Sequence, residues 1–171
     1  MDNPSNMLNI NNKFFTKCQD DLKLQGFFEI NLSLPDDIKK LVKTRQFFEL
    51  DQKFKLMTAT DGMIFKALSE FESFNSIEFI ISLRESDNEW EEDGIWHDDG
   101  SRKLAFSLSL TIEPPKGGIL ELRKKGDTQS TKIWTPPYGN MIVFATGSNG
   151  YEHKINRVTQ GSRLIIAGWC S

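Results

Sequence analysis

The hydrophobic pattern changes period at residue 76, and that change limits the fold more than any other feature of the chain. From there IEFIISL, KLAFSLSLTI, GGILELR, TKIWT, NMIVFAT and EHKINRV are short apolar runs separated by clusters of Gly, Pro, Asn and Asp, and SRLIIAGW closes the sequence. Such runs predict about seven or eight β-strands over 76–171. Parallel strands would need crossover helices, and no helical pattern interrupts these runs. The pairing is therefore expected to be antiparallel, in a sandwich, jelly roll or barrel.

The first 75 residues follow helical spacing. Five asparagines within the first twelve residues predict a frayed start, after which Phe14, Phe15, Cys18 and Leu22 recur on one face until Gly26. FFEINLSL reads as extended. Pro35 followed by Asp36 and Asp37 then opens a second helix with Ile38, Leu41 and Val42 on one face. A third helix is expected over about 62–73, where Ile64, Phe65, Leu68 and Phe71 form a stripe. The expected fold is α+β, mainly β with N-terminal helices. It is one domain over 1–171, with 1–75 a helical support region covering one outer face and 76–171 a β core.

A chain of 171 residues can bury a core without metal or disulfide help. The formal net charge of -3 gives no global attraction to nucleic acid or to an anionic membrane. No run approaches the ~18 apolar residues of a membrane span, and MDNPSNMLNINN lacks the basic and apolar regions of a signal peptide. A cytoplasmic location is expected. Cys18 and Cys170 are too few and too far apart for a disulfide framework or zinc knuckle, so both are read as reduced, packed thiols.

The chemistry concentrates around WHDDG at 96–100. In an extended segment His97 and Asp99 point the same way while Asp98 points away. The other histidine of the chain, His153, lies 54 residues beyond Asp99 at the start of EHKINRV. Two histidines and one carboxylate make the facial triad of non-haem Fe(II) oxygenases, which leaves coordination positions open for a cosubstrate and dioxygen. Arg163 follows ten residues after His153 and opens the last strand. A guanidinium in an apolar barrel wall is costly unless it meets an anion, and its planar fork suits a carboxylate. Each residue alone fits an ordinary turn or strand edge; the four together fit a site for a metal and a dicarboxylic keto acid.

The set His97-x-Asp99, GGIL at 117–120, YGNMIVFAT at 138–146, His153 and Gly161-x-Arg163 resembles the 2-oxoglutarate and Fe(II)-dependent dioxygenases, especially their prolyl hydroxylase-like branch. The resemblance covers about 76–171. It implies a double-stranded β-helix of jelly-roll form, Fe(II) held by His97, Asp99 and His153, and 2-oxoglutarate anchored by Arg163. It also implies consumption of O2, hydroxylation of an aliphatic carbon, and succinate and CO2 as co-products. The expected substrate is a protein or peptide side chain, or a small molecule. Ser109 lies where relatives often place a tyrosine that bonds the cosubstrate, so it is read as a second contact. By strand alternation Ile165, Ala167 and Trp169 share the face of Arg163, Ile155 that of His153, and Ser107 that of Ser109. Leu120, Trp169 and Trp90 are expected to line the substrate pocket. The tyrosines that prolyl hydroxylases often carry before the His-x-Asp pair have no match in ESDNEWEEDG, which puts proline itself in question as the target.

That stretch, 85–94, holds six acids and no base. It reads as a solvated mobile loop, with a lid attracting a basic substrate under Trp90 as the sharper alternative. Lys39, Lys40, Lys43 and Arg45 are assigned to the wet face of the second helix, and 123–125 to a hairpin tip. Two rival functions remain at this stage. A cupin-like metalloenzyme without a keto acid would usually offer three histidines and a glutamate. A non-catalytic 2-oxoglutarate-sensing or binding module would have no chemical need of the full triad.

Overall fold

A computed structural model describes residues 12–171; the expected frayed start at 1–11 lies outside them. Helices α1 (Asn12–Gln25), α2 (Asp36–Lys43), α3 (Phe47–Thr58) and α4 (Met63–Ser69) precede nearly all of the strands, with β1 (Phe27–Asn31) inserted after α1. Then follow β2 (Ile77–Glu85), β3 (Leu104–Ser109), β4 (Lys116–Gly117), β5 (Leu120–Lys124), β6 (Thr131–Ile133), β7 (Asn140–Ala145), β8 (Tyr151–Ile155), β9 (Val158–Gln160) and β10 (Ser162–Cys170).

All strand pairs are antiparallel. Five strands form one sheet in the order β1-β7-β3-β10-β2, three form β6-β5-β8, and β4 pairs with β9. Period-two alternation divides the large sheet into two faces. On one face Leu104, Phe106, Leu108, Met141, Val143, Leu164 and Ile166 join Cys18, Ile38, Leu50, Phe54, Ile64 and Leu68 of the helices in one core. On the other, Ala105, Ile142 and Phe144 meet Leu120, Leu122, Ile133 and Tyr151 of the smaller sheet. The N-terminal helices thus cover one outer face, as their stripes predict, and the two sheets pack face to face. Cys18 and Cys170 are free and buried.

One helix is not expected from the sequence, and two local expectations differ from the structure. The helix α3 has no clear sequence stripe, because Leu50, Phe54 and Thr58 face inward while Phe48 and Leu56 are exposed on the opposite side. The stripe at 62–73 ends as a helix at Ser69, yet Phe71 still packs against the rings of Phe15 and Phe28. The single run EHKINRV breaks into β8 and β9, since Asn156 N donates to Ile119 O and Gly118 N to Arg157 O at the bend. Strand β1 pairs with β7 along its whole length, so the N-terminal region contributes to the large sheet as well as to its cover.

Candidate metal and cosubstrate site

Strand β8 carries His153 on the face that points between the sheets. His97 is tied beside it by an antiparallel bridge in which His97 N donates to His153 O at 3.0 Å and His153 N donates to His97 O at 2.8 Å. The ring centroids stand 4.4 Å apart. The ligand atoms of His97, Asp99 and His153 lie within 4.8 Å of one another, and among the described residues this is the one group of three such side chains close enough to hold an ion.

The surroundings fix each side chain. His97 Nδ1 lies 3.1 Å from Ile95 O, an atom that can only accept, so the proton sits on Nδ1 and Nε2 keeps its lone pair. Asp99 Oδ1 accepts from Trp169 Nε1 at 2.9 Å and Oδ2 from Thr146 Oγ1 at 2.8 Å, which orients the carboxylate. His153 is 6% exposed and stands edge-on to the Phe144 ring. Burial pushes its pKa from 6.5 down to about 4, against the opposing pull of Asp99, which keeps the imidazole neutral and able to donate to a cation. Its Nδ1 is buried without a hydrogen-bond partner, 4.0 Å from Asp99 Oδ2. An unserved nitrogen beside a carboxylate fits a metal ligand set.

Arg163 opens β10 in the same cavity, a space of about 520 Å³ that also reaches His97, Asp99 and His153. It is 2% exposed. Nε donates to Thr135 Oγ1 at 3.1 Å and Nη2 to Ser107 Oγ at 3.3 Å, while Nη1 has no partner. Burial, with Arg84 pushing the same way, brings its pKa down to about 9. A buried guanidinium with two neutral partners and one idle nitrogen fits an anion. Gly118 makes room for it: φ is +64°, and a Cβ there would lie 2.8 Å from Arg163 Cδ.

Leu120, Trp169 and Trp90 all line this cavity, and so do Ile155, Ile165 and Ala167, as strand alternation predicts. Ser109 does not. It is fully buried one pairing step farther along β3, and its Oγ accepts from Thr111 N, so Ser107 is the hydroxyl that meets Arg163. The acidic loop is also less free than its composition implies. Asp93 pairs with Arg84, Glu89 with Arg157 and Glu85 with Arg45, and Trp90 lies over the Arg84 guanidinium. Lys39, Lys40 and Lys43 are exposed on α2 as expected, and Arg45 is exposed too but lies past the end of that helix. Arg123 belongs to β5 rather than to a hairpin tip, and its guanidinium lies 3.8 Å from the Trp96 ring centroid.

Sequence reasoning missed Thr146, Ser107, Thr135 and Arg84. Arg84 and Ser107 lie on strands that pair with β10, whereas Thr135 and Thr146 lie just past the ends of β6 and β7, and each is far in sequence from the Arg163 or Asp99 it stands beside. A larger cleft of about 960 Å³, bounded by α2, β2 and Gly161, contains none of the triad.

Comparison with known proteins agrees with this architecture. The family described as the 2OG-Fe(II) oxygenase superfamily matches residues 73–171. A PKHD-type hydroxylase of Gluconacetobacter diazotrophicus is 35% identical over 77 residues, which cover 43% of this chain and 31% of that protein. The chain thus matches about a third of the length of that curated relative. A prolyl-4-hydroxylase of Pseudomonas putida superposes with a TM-score of 0.61 at 17% identity, covering 91% of this chain and 97% of the other. A Trichoplax adhaerens prolyl hydroxylase, solved with a hypoxia inducible factor peptide fragment, also gives 0.61, at 13% identity over 94% and 90% of the two chains. At these identities the likeness is one of fold, the jelly roll.

Proposed function

The chain belongs to the 2OG-Fe(II) oxygenase superfamily, and on that premise we propose that it is a 2-oxoglutarate-dependent hydroxylase acting on an aliphatic carbon. In this reading His97, Asp99 and His153 hold Fe(II), and Arg163 anchors 2-oxoglutarate. The observation that carries it is the convergence, in one cavity, of a neutral buried histidine with an unserved nitrogen and a buried arginine with an idle Nη1. When bound, Fe(II), 2-oxoglutarate and O2 supply the oxidising chemistry, with succinate and CO2 as co-products.

The chain's own residues bind, orient and shield. Thr146 and Trp169 hold the Asp99 carboxylate, and the His97–His153 bridge fixes the separation of the two imidazoles. Ser107 and Thr135 aim the Arg163 fork. Leu120, Ile155, Ile165, Phe144 and Trp169 give the cavity an apolar wall, which limits water at the reacting carbon. The substrate class, a protein or peptide side chain or a small molecule, is supported by the prolyl hydroxylases among the structural relatives, one of them solved with a peptide.

The test is titration of the metal-stripped protein with Fe(II) under anaerobic conditions, followed by 2-oxoglutarate. His153→Ala is expected to lose iron binding, because it removes a ligand. Arg163→Ala is expected to keep iron and weaken 2-oxoglutarate, because it removes only a carboxylate anchor. Wild-type affinity for both in both variants would refute the assignment.

A further inference from the structure

Arg84 is a second buried arginine in the same cavity, and the register of the sheet sets it directly against Arg163. Residues Ser76 and Ser171 exchange both backbone hydrogen bonds, at 3.0 and 2.9 Å, and Ser86 N donates to Gly161 O at 3.2 Å. The even-numbered residues of β2 therefore occupy hydrogen-bonded pairs with β10, and Arg84–Arg163 is one of them. In such pairs the Cα atoms stand ~5.5 Å apart and the side chains leave on one face. Both arginines line the cavity, with Arg84 8% and Arg163 2% exposed.

Two like charges opposite each other in a buried place are unfavourable unless an anion lies between them. Two carboxylates come near this pair: Asp93 makes an ion pair with Arg84, Glu92 lines the same cavity and acts on Arg84 through space, and among the described residues neither makes an ion pair with Arg163. Arg84 Nε and Arg163 Nη1 are left buried and without partners. Asp93 belongs to the loop that carries Trp90, whose ring centroid stands 4.6 Å from the Arg84 guanidinium carbon. The proximity of the two charges is also felt at Arg163, whose pKa Arg84 helps to lower.

We propose that Arg84 and Arg163 form a two-arginine clamp for the distal carboxylate of the cosubstrate, and that Asp93 is the carboxylate occupying Arg84 until the cosubstrate arrives. This rests on the assignment of Arg163 as the 2-oxoglutarate anchor. It gives the loop 85–94 a role: the Asp93 contact competes with the cosubstrate, so binding of 2-oxoglutarate and release of the loop from Arg84 are linked through one guanidinium. By linkage, whatever draws the loop away from Arg84 strengthens cosubstrate binding.

Calorimetric titration of 2-oxoglutarate into protein loaded with Mn(II), a redox-quiet substitute, reads affinity without turnover. The variants are Arg84→Met, Arg84→Lys, Asp93→Asn, Arg163→Ala and the Arg84→Met/Asp93→Asn double variant. Mn(II) affinity serves as the check that each remains folded. Loss of a charge-assisted contact predicts about tenfold weaker binding for Arg84→Met and a smaller loss for Arg84→Lys, which keeps the charge but not the fork. Asp93→Asn is expected to bind severalfold more tightly, and the double variant to lose that gain. If Arg84→Met does not fold, the Asp93→Asn arm still decides. Unchanged or weaker binding in Asp93→Asn, with Arg163→Ala clearly impaired, would overturn the clamp and leave the anchor assignment standing. Unchanged binding in Arg163→Ala would remove that assignment and the clamp with it.

Discussion

The two faces of the large sheet are built by the same strands and differ in chemistry: one is apolar throughout and the other is mixed. Toward the helices, β2, β3 and β10 present Phe79, Ile81, Leu83, Leu104, Phe106, Leu108, Leu164 and Ile166. Toward the smaller sheet, Ser82, Arg84, Ala105, Ser107, Arg163 and Ala167 are small or charged and stand among the larger Ile80, Ile165 and Trp169. Large apolar side chains fill one face. On the other, residues too small to fill the gap leave a cavity, and arginines face into it. The candidate site lies where an otherwise apolar alternation stops supplying bulk at every step.

Substitutions that exchange the properties of the two faces test this division, and the largest effect is expected on the packed side. Leu108→Ala removes a fully buried side chain and should cost about 2–5 kcal/mol of stability in urea unfolding. Its affinity for 2-oxoglutarate should remain that of the wild type. Ala167→Leu does the reverse, placing bulk in the cavity. It should weaken 2-oxoglutarate by about tenfold or more, while changing stability by about 1 kcal/mol or less. A smaller effect is expected for Gly118→Ala, which both strains a residue at φ +64° and crowds Arg163 Cδ. It should cost roughly 1 kcal/mol of stability and bind 2-oxoglutarate more weakly at unchanged metal affinity.

The remaining effect is one of pH. In the metal-free protein burial lowers the His153 pKa from 6.5 to about 4. Between those values the unfolded chain binds a proton that the folded chain does not. The contribution of His153 is therefore full above about pH 6.5 and is lost as pH falls toward 4, with a slope of at most about 1.4 kcal/mol per unit. Urea midpoints at pH 7 and pH 5 should show this fall, and His153→Gln should flatten it.

Much of this was legible in the sequence wherever a single period sufficed. Alternation along SRLIIAGW places Ile165, Ala167 and Trp169 beside Arg163, and the structure puts all of them on the cavity. Alternation sets His97 and Asp99 on one side, and His153, the other histidine of the chain, completes the candidate group. What stayed hidden depends on which strands pair and in what register. Ser107 and Ser109 share a face and stand opposite Ala167 and Ile165 of β10; only the side-chain packing shows that Ser107, and not Ser109, which is nearer in register, is the hydroxyl that Arg163 reaches. Thr146 reaches Asp99 across 47 residues. Arg84 gains meaning only when β2 is set against β10. The helix α3 escaped because exposed Phe48 and Leu56 blur its inward stripe.

The most direct test of the central claim is anaerobic visible absorbance of the metal-stripped protein after addition of Fe(II) and then 2-oxoglutarate, repeated with Arg163→Ala. The wild type is expected to show the weak charge-transfer band of a chelated keto acid, and the variant to need much more 2-oxoglutarate to reach it. Iron binding without any such band would contradict it, removing 2-oxoglutarate from the site and favouring a metalloenzyme that uses no keto acid.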